Sequence, residues 1–535
     1  MKEPRVFILN LAGVLFLSPF NLYSISAPGN SAMPENKAGN FKIGWSSVDI
    51  TPDKPVLLAG QMYVRVSEGV QDPITATALA LEYGTGDAAE KAIMISCDLV
   101  SISDILKNTV RTLLKHTLPE VSSEQIFLNA THTHTAPTIG TNSDIIGMYG
   151  VDLGVMSPAE CLKYISERVA KAAEEAWKNR KPGGISFGLG QAIVGHNRLA
   201  IDMDGKSVMY RNTNFPGFSH QEGSVDHSVN LLYTWDKKSK LTGVIINIAC
   251  PSQVTEGLVK VSADYWHDTR LEVRKRLGKD IYILPQCSAA GDQSPHILIG
   301  QNAETRMQRL ITHDSINSGR TSLGQRKQIA IRIADAVTSV YPYMKEVIEW
   351  DPVFIHRTEL VELSRNKVVR RLPDASNRPV VPVDTNSRKA NELKYNQLLK
   401  AINENPELKK KPQWYLEIID AYSKIKRSEG RTGGRSEAGQ QPDKIQIEVH
   451  VLRLGDVVFA SNPFELYLDY GMRIKARSPA TQTFLVQLTG GGSYVAPARS
   501  VSGGSYGASG GRIGPEGGQE LVEQTLNLIN ELWIK

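Results

Sequence analysis

Two histidines separated by one residue, His132-Thr133-His134, follow the apolar run Ile126-Phe127-Leu128-Asn129-Ala130. Imidazole nitrogens bind metal ions and exchange protons near neutral pH. On an extended chain, residues i and i+2 project to the same side, so one ring can hold a cation while the other faces a substrate. An HxH pair alone is often just an exposed loop feature; its place at the end of a strand-like run gives it weight. Other reactive groups stand at similar places. Cys250 ends the run Val244 to Ala249, and Ser294 follows the small-residue turn Cys287 to Gln293. Ser294 reads either as a hydroxyl for chemistry or as a turn residue bonding its own backbone. Glu465, in Asn462-Pro463-Phe464-Glu465-Leu466, reads either as a carboxylate ligand or as an acid in the first turn of a helix. Tyr494 and Tyr506 each lie in a glycine-rich loop, where a phenol can reach a metal or an oxyanion, or simply cap a surface.

Positioning such groups requires a scaffold, and the chain supplies alternating apolar runs and amphipathic stretches from Phe41 to about Ser294. Ala92 to Cys97, Ile126 to Ala130, Val244 to Ala249 and Ile281 to Leu284 read as buried strands. Helical patterns run through Ile105 to Leu114, Ala159 to Trp177 and Tyr265 to Leu277. The expected class is α/β: a single large domain with a largely parallel or mixed central sheet flanked by helices. In such sheets functional groups gather beyond the carboxyl ends of the strands. A polar, basic elaboration is expected from about 357 to 443, with helices over Asn391 to Asn403 and Gln413 to Ile425. It reads either as a lid or as a solvated surface insertion. Strand-like alternation returns at Ile445 to Ala460, and a last helix covers Glu520 to Leu532.

Bulk composition narrows the class further. The 535 residues are 41% hydrophobic and 22% charged, the balance of a globular protein. A net charge of +5 at this length gives no reason to expect nucleic acid as a partner. Lys2 and Arg5 precede an apolar run, Val6 to Phe20, with small residues at Ser24, Ser26 and Ala27. That pattern predicts a signal peptide over 1–27 and a flexible spacer over 28–40, hence a secreted or periplasmic protein. No other segment is long and apolar enough to span a bilayer. Four cysteines (Cys97, Cys161, Cys250 and Cys287) are too few to staple a fold, so packing must build the core.

Taken in order, these segments resemble the neutral/alkaline, non-lysosomal ceramidase family. The resemblance runs from Gly44-Trp45-Ser46-Ser47-Val48-Asp49-Ile50-Thr51 through Asp72-Pro73, Cys97-Asp98-Leu99 and His132-Thr133-His134. It continues through Asn197-Arg198, Ser262-Ala263-Asp264, Gly291-Asp292-Gln293-Ser294-Pro295, Pro463-Phe464-Glu465 and the two tyrosine loops. The family cleaves the amide of N-acyl-sphingosine with a zinc ion. The resemblance therefore implies His132, Glu465 and Tyr494 as zinc ligands and His134 as the acid/base. It also implies Arg198 and Tyr506 beside the reacting carbonyl, with Ser294 close by.

The sequence departs from the family where a second histidine ligand is expected, since that strand runs into Cys250-Pro251-Ser252-Gln253. Cys250 falls at the ligand position, and a thiolate is a good zinc ligand. The alternatives are a buried thiol, a disulfide with Cys287, completion of the site by Asp264 or His267, or no metal. Ala496-Pro497-Ala498-Arg499 reshapes the rim, Gln293 and His296 alter the serine loop, and no C-terminal β-sandwich is expected after the final helix. The substrate is thus a small molecule, lipid or glycan. The leading expectation is metal-assisted hydrolysis of an N-acyl amide. One rival is a glycan lyase or glycoside-cleaving site using His134, Tyr494, Tyr506 and Arg198; another is a binding protein on the same scaffold.

Overall fold

The stretch from Glu90 to Cys97 shows how these residues become sheet. Ala92 and Met94 point to one face, Ile93, Ile95 and Cys97 to the other, and all five are fully buried. A strand buried on both faces needs two different covers. In this computed structural model, which describes residues 40–313, 322–366, 385–430 and 442–534, those covers are a second sheet on one side and helices on the other. The expected signal peptide and nearly all of the spacer lie outside the described residues, as do parts of the polar stretch.

Eight strands form the larger sheet, in the spatial order Tyr282–Cys287, Leu241–Ile248, Ser228–Asp236, Lys181–Gln191, Phe41–Asp49, Thr75–Tyr83, Glu90–Cys97 and Ile126–Ala130. The two outermost pairs are parallel and the pairings between them antiparallel, so the sheet is mixed. Parallel neighbours need a crossover. Helix Asp104–Thr117 provides one and helix Tyr265–Leu277 the other. The helix-spaced strands legible in the sequence therefore describe the two edges, and directly paired antiparallel strands fill the middle.

The sheet curls until its Tyr282–Cys287 edge lies across the strands of its other half. Ser96 Oγ and Asn129 Nδ2, from one edge, both donate to the carbonyl of Pro285 in the other, at 2.5 and 3.2 Å. Trp45 stacks on Tyr282 with ring centroids 5.7 Å apart. Pro285 lacks an N–H, which suits a strand with no neighbour on one side. This closure brings the carboxyl ends of both parallel pairs to one place.

A second sheet, ordered Phe354–Ser364, Lys444–Leu454, Val457–Ser461 and Gln482–Val486, packs its Leu452, Leu454, Phe459 and Phe484 against the first. Its outer residues Val449, Val451, Val458 and Ala460 lie beneath helices Leu468–Arg477 and Pro515–Glu531. The first strand of this sheet takes in the opening residues of the stretch read as a polar elaboration. Beyond it, helices Thr385–Glu404 and Pro412–Gly430 bury Ile402, Tyr415, Ile418 and Ile419 against Leu57, Ile145, Val151 and Leu153. The helix pair thus covers the segment that carries the lip of the candidate site. No helix among the described residues is long and apolar enough to cross a membrane.

Between the sheets, His356 and His450 stack with centroids 5.3 Å apart, and Phe127 lies 4.9 Å from the second ring. Burial pushes His356 down to about 3 and lowers His450 as well. Such histidines take up protons more readily in the unfolded chain, whose imidazoles titrate near 6.5. Their contribution to stability is intact above that value and is lost as the pH falls from about 6.5 toward 3. Urea unfolding at pH 4 is expected to show a loss on the order of 1–3 kcal/mol relative to pH 7. His356→Asn should flatten that dependence while lowering stability at pH 7; an unchanged slope between pH 6.5 and 4 would assign the acid sensitivity elsewhere.

Candidate active site

A cavity of about 290 Å³ opens where the strand ends converge. Its lining is Gly60, Gln61, Met62, Val100, His132, His134, Arg198, Met209, Tyr210, Gln253, Glu256, Glu465, Tyr494 and Tyr506. Val100 follows strand Glu90–Cys97, the two histidines follow Ile126–Ala130, and Gln253 and Glu256 follow Leu241–Ile248. The second sheet contributes through Val457–Ser461, which leads to Glu465. A short parallel bridge then pairs Glu465 with Tyr494.

The His-Thr-His segment is not extended as its sequence suggests. His132 adopts a left-handed backbone, φ 66°, a conformation that costs a non-glycine residue about 1 kcal/mol or more. The interleaved threonines hold it there: Thr131 Oγ1 donates to Asp98, while Thr133 Oγ1 and Thr135 Oγ1 donate to the Ser262 carbonyl. The rings nonetheless converge, with His132 Nε2 and His134 Nε2 3.3 Å apart. His132 Nδ1 donates to the Val100 carbonyl at 2.6 Å. That bond fixes the tautomer and leaves Nε2 with a lone pair facing the cavity. Burial pulls this ring down to about 4, so it stays neutral near pH 7.

Glu465 Oε2 lies 3.5 Å from His132 Nε2. Tyr494 accepts a bond from Arg198 Nη2 at 3.0 Å. Burial raises the Tyr494 phenol well above its ordinary value, and Glu465 adds to that against the opposing pull of Arg198. Arg198 is also buried, which works against its charge, yet Tyr494, Tyr210 and Glu465 outweigh that and keep it firmly protonated. Its Nη2 also donates to the Gly291 carbonyl at 2.8 Å. Tyr506 closes the rim, its ring edge-on to Tyr494 at 5.7 Å.

Two expected site residues are not in the lining. Ser294 is buried behind Tyr210, whose hydroxyl donates to Ser294 Oγ at 3.1 Å, so its reach to the cavity runs through that phenol. Cys250 is packed in the hydrophobic cluster beneath helices Tyr265–Leu277 and Leu323–Met344, with Sγ 3.5 Å from the Pro251 carbonyl. It is not brought to the cavity, and burial drives its thiol well above the usual range. All four cysteines are free, so the Cys250–Cys287 disulfide is not formed. Nor do Asp264 or His267 line the cavity; Asp264 instead accepts bonds from the Val254 and Thr255 amides.

Gln253, Glu256 and Tyr210 were not among the groups singled out from the sequence. Gln253 Nε2 lies 2.7 Å from His134 Nε2, and Glu256 Oε2 lies 3.3 Å from His134 Nδ1. The signal that points to both is their place in the loop beyond a parallel strand's carboxyl end. Gly60, in the lip over the site, has φ 97°, and a Cβ there would meet His134 Cγ at 2.4 Å.

Among the described residues no group of three or more His, Cys, Asp or Glu side chains is placed to hold a metal ion. The donors that face the cavity are of mixed kind: the His132 Nε2 lone pair, the Glu465 carboxylate and the Tyr494 phenol. Ligand atoms of a tetrahedral zinc centre, with bonds of about 2.0–2.2 Å, lie roughly 3.3–3.6 Å apart. The 3.5 Å between His132 Nε2 and Glu465 Oε2 suits such an edge, and the carbonyl bond at Nδ1 is the usual support of a ligating histidine. The His132–Glu465 pair thus has the spacing of one edge of a zinc site, with the Tyr494 phenol beside it in the same cavity.

No family model matches the sequence, and no curated protein matches it. Solved structures do match its fold. A crystal structure of neutral ceramidase from Pseudomonas aeruginosa superimposes with a TM-score of 0.62 at 16% identity, covering 93% of this chain and 76% of that one. A ceramidase complexed with C2 gives 0.61 at 15% identity, covering 92% and 75%. The mixed α/β architecture described here is the fold of these ceramidases.

Proposed function

We propose that this chain is a hydrolase that cleaves an N-acyl amide, of a small molecule or a lipid, at the His132–His134 cavity. The observation that supports this most is the convergence of two imidazoles, a carboxylate, a guanidinium and two phenols from distant segments on one opening. The likeness of fold to ceramidases agrees with it, and does not favour the glycan-lyase alternative.

His132, Glu465 and Tyr494 would hold the zinc ion. Bound there, zinc supplies a Lewis acid that polarises a carbonyl and acidifies water. The chain's own groups do the rest. His134 Nε2, facing the cavity, takes the proton of the attacking water and returns it to the leaving nitrogen. Arg198, held protonated and aimed by Gly291 and Tyr494, steadies the charge that grows on the carbonyl oxygen. Tyr506 donates from the rim, and Ser294 positions Tyr210. Met62, 84% exposed at the lip, offers apolar surface for an acyl chain.

A panel of N-acyl amides from acetyl to long acyl chains, assayed with and without chelator, tests the reading. Hydrolysis of at least one member is expected, and failure on every chain length would sink it. His132→Ala should lose the metal and at least about a hundredfold in kcat/KM, whereas Arg198→Met should keep the metal and lose about 10²–10³ in kcat. Cys250→Ala should retain the metal, because its thiol faces the core. Metal analysis of the three purified variants distinguishes these outcomes, and metal loss in Cys250→Ala would restore the thiol as a ligand.

A further inference from the structure

We infer that Glu256 is a positioning residue for His134, seated between that ring and His296; the inference rests on the hydrolytic reading above. Glu256 is buried, with Oε2 3.3 Å from His134 Nδ1 and Oε1 3.3 Å from His296 Nε2. One carboxylate thus bridges an imidazole of the cavity and a second imidazole behind it. These are ion-pair separations, longer than a tight hydrogen bond, of the kind that shorten when substrate seals a site.

The carboxylate is held from its own backbone. Asp264 accepts from the amides of Val254 and Thr255 at 3.2 and 2.6 Å, immediately before Glu256. Arg65 Nη1 donates to the Glu256 carbonyl at 2.7 Å. His296, which departs from the family resemblance in the serine loop, acquires a use here as the second partner that fixes the carboxylate plane.

A carboxylate at Nδ1 selects the His134 tautomer protonated on that nitrogen, because the other would set a lone pair against a negative charge. Nε2 is then the basic nitrogen, and it faces the cavity, where the Gln253 amide donates to it at 2.7 Å. In the reaction a water proton moves to Nε2 as the C–O bond forms. The same proton passes to the amine nitrogen as the C–N bond breaks, and Glu256 balances the imidazolium between the two steps.

Two measurements on the full-length protein test this. In histidine-labelled protein, the ring nitrogen NMR signals of His134, assigned by loss in His134→Gln, should show a protonated Nδ1 with a downfield proton. That proton should move or vanish in Glu256→Gln. On any N-acyl amide the wild type cleaves, Glu256→Gln should lower kcat by about 10²–10⁴ with KM changed less than about threefold, and Glu256→Asp should recover part of the loss. A bare Nδ1 in the wild type, or full kcat in Glu256→Gln, would overturn the inference. Should Glu256→Gln fail to fold, Glu256→Asp carries both readouts, and an unmoved ring signal with unchanged kcat overturns it equally. If the wild type cleaves no N-acyl amide, the hydrolytic reading fails while the ring signal still decides the pairing.

Discussion

Four backbone carbonyls from three separate segments point at one buried guanidinium. Arg65 Nη2 donates to Ala59 and His134 at 2.6 and 2.5 Å, and Nη1 to Glu256 and Leu258 at 2.7 and 2.8 Å. Ala59 precedes the lip at Gly60 to Met62, His134 closes the histidine segment, and Glu256 to Leu258 is the loop beyond the Leu241–Ile248 strand. Burial depresses the arginine's pKa from its ordinary value, and the carbonyl dipoles offset that desolvation. A lysine offers only a point charge there, whereas the planar fork satisfies divergent acceptors at fixed angles. The cavity depends on this junction because none of the three segments is held in its place by sheet pairing alone.

Beneath the clamp lies a second level of buried ions that fixes the strand ends. Asp98, directly after strand Glu90–Cys97, accepts a bidentate pair of bonds from Arg270 at 2.9 and 3.0 Å, and accepts from the Thr75 amide as well. Arg326 bridges Asp72 and Asp268 and donates to Ser262 Oγ. Ser262 in turn presents the carbonyl that Thr133 and Thr135 bind. Removing one partner from such a pair strands an uncompensated charge in low dielectric. The network therefore acts through geometry: the left-handed turn at His132 is pinned on both sides, at Thr131 by Asp98 and at Thr133 by the Ser262 carbonyl.

How much of this was legible in the chain follows from strand physics. The histidine pair, Glu465 and Tyr494 were visible because each lies just past an apolar run or in a glycine-rich loop, and such places face a cleft in α/β sheets. Of the readings open for Cys250, the structure places the thiol in the core and not at the cavity, because a strand end gives position but not face. Val244, Ile246, Ile248 and Cys250 share one parity, and all four lie in the cluster under the helices. That alternation was readable in the sequence, and it assigns the thiol to the core. The antiparallel centre of the sheet was hidden for a different reason. Two of its pairings are hairpins across the short turns at 84–89 and 237–240, but strand Lys181–Gln191 joins partners from distant parts of the chain, a pairing that leaves no local mark, whereas the two crossover helices leave a clear one. Glu256 stayed hidden because the contact that fixes its loop, to Asp264, is made by tertiary folding.

The two imidazoles of the cavity have the same chemistry and different partners. His132 gives its Nδ1 proton to a neutral carbonyl, which orients the ring without a counter-charge for an imidazolium. Burial then keeps it neutral, with its lone pair toward Glu465. His134 Nδ1 instead lies 3.3 Å from a carboxylate, Glu256, that is itself held ionised, against the effect of burial, by His134 and His296. A ring with a counter-charge behind it can carry a second proton through a transition state; a ring backed by an amide carbonyl gains far less from doing so. With Nε2 atoms 3.3 Å apart, two cations would repel strongly in so dry a place. Of the pair, His134 is the ring with a carboxylate, Glu256, behind it, and His132 is the ring backed by the neutral Val100 carbonyl.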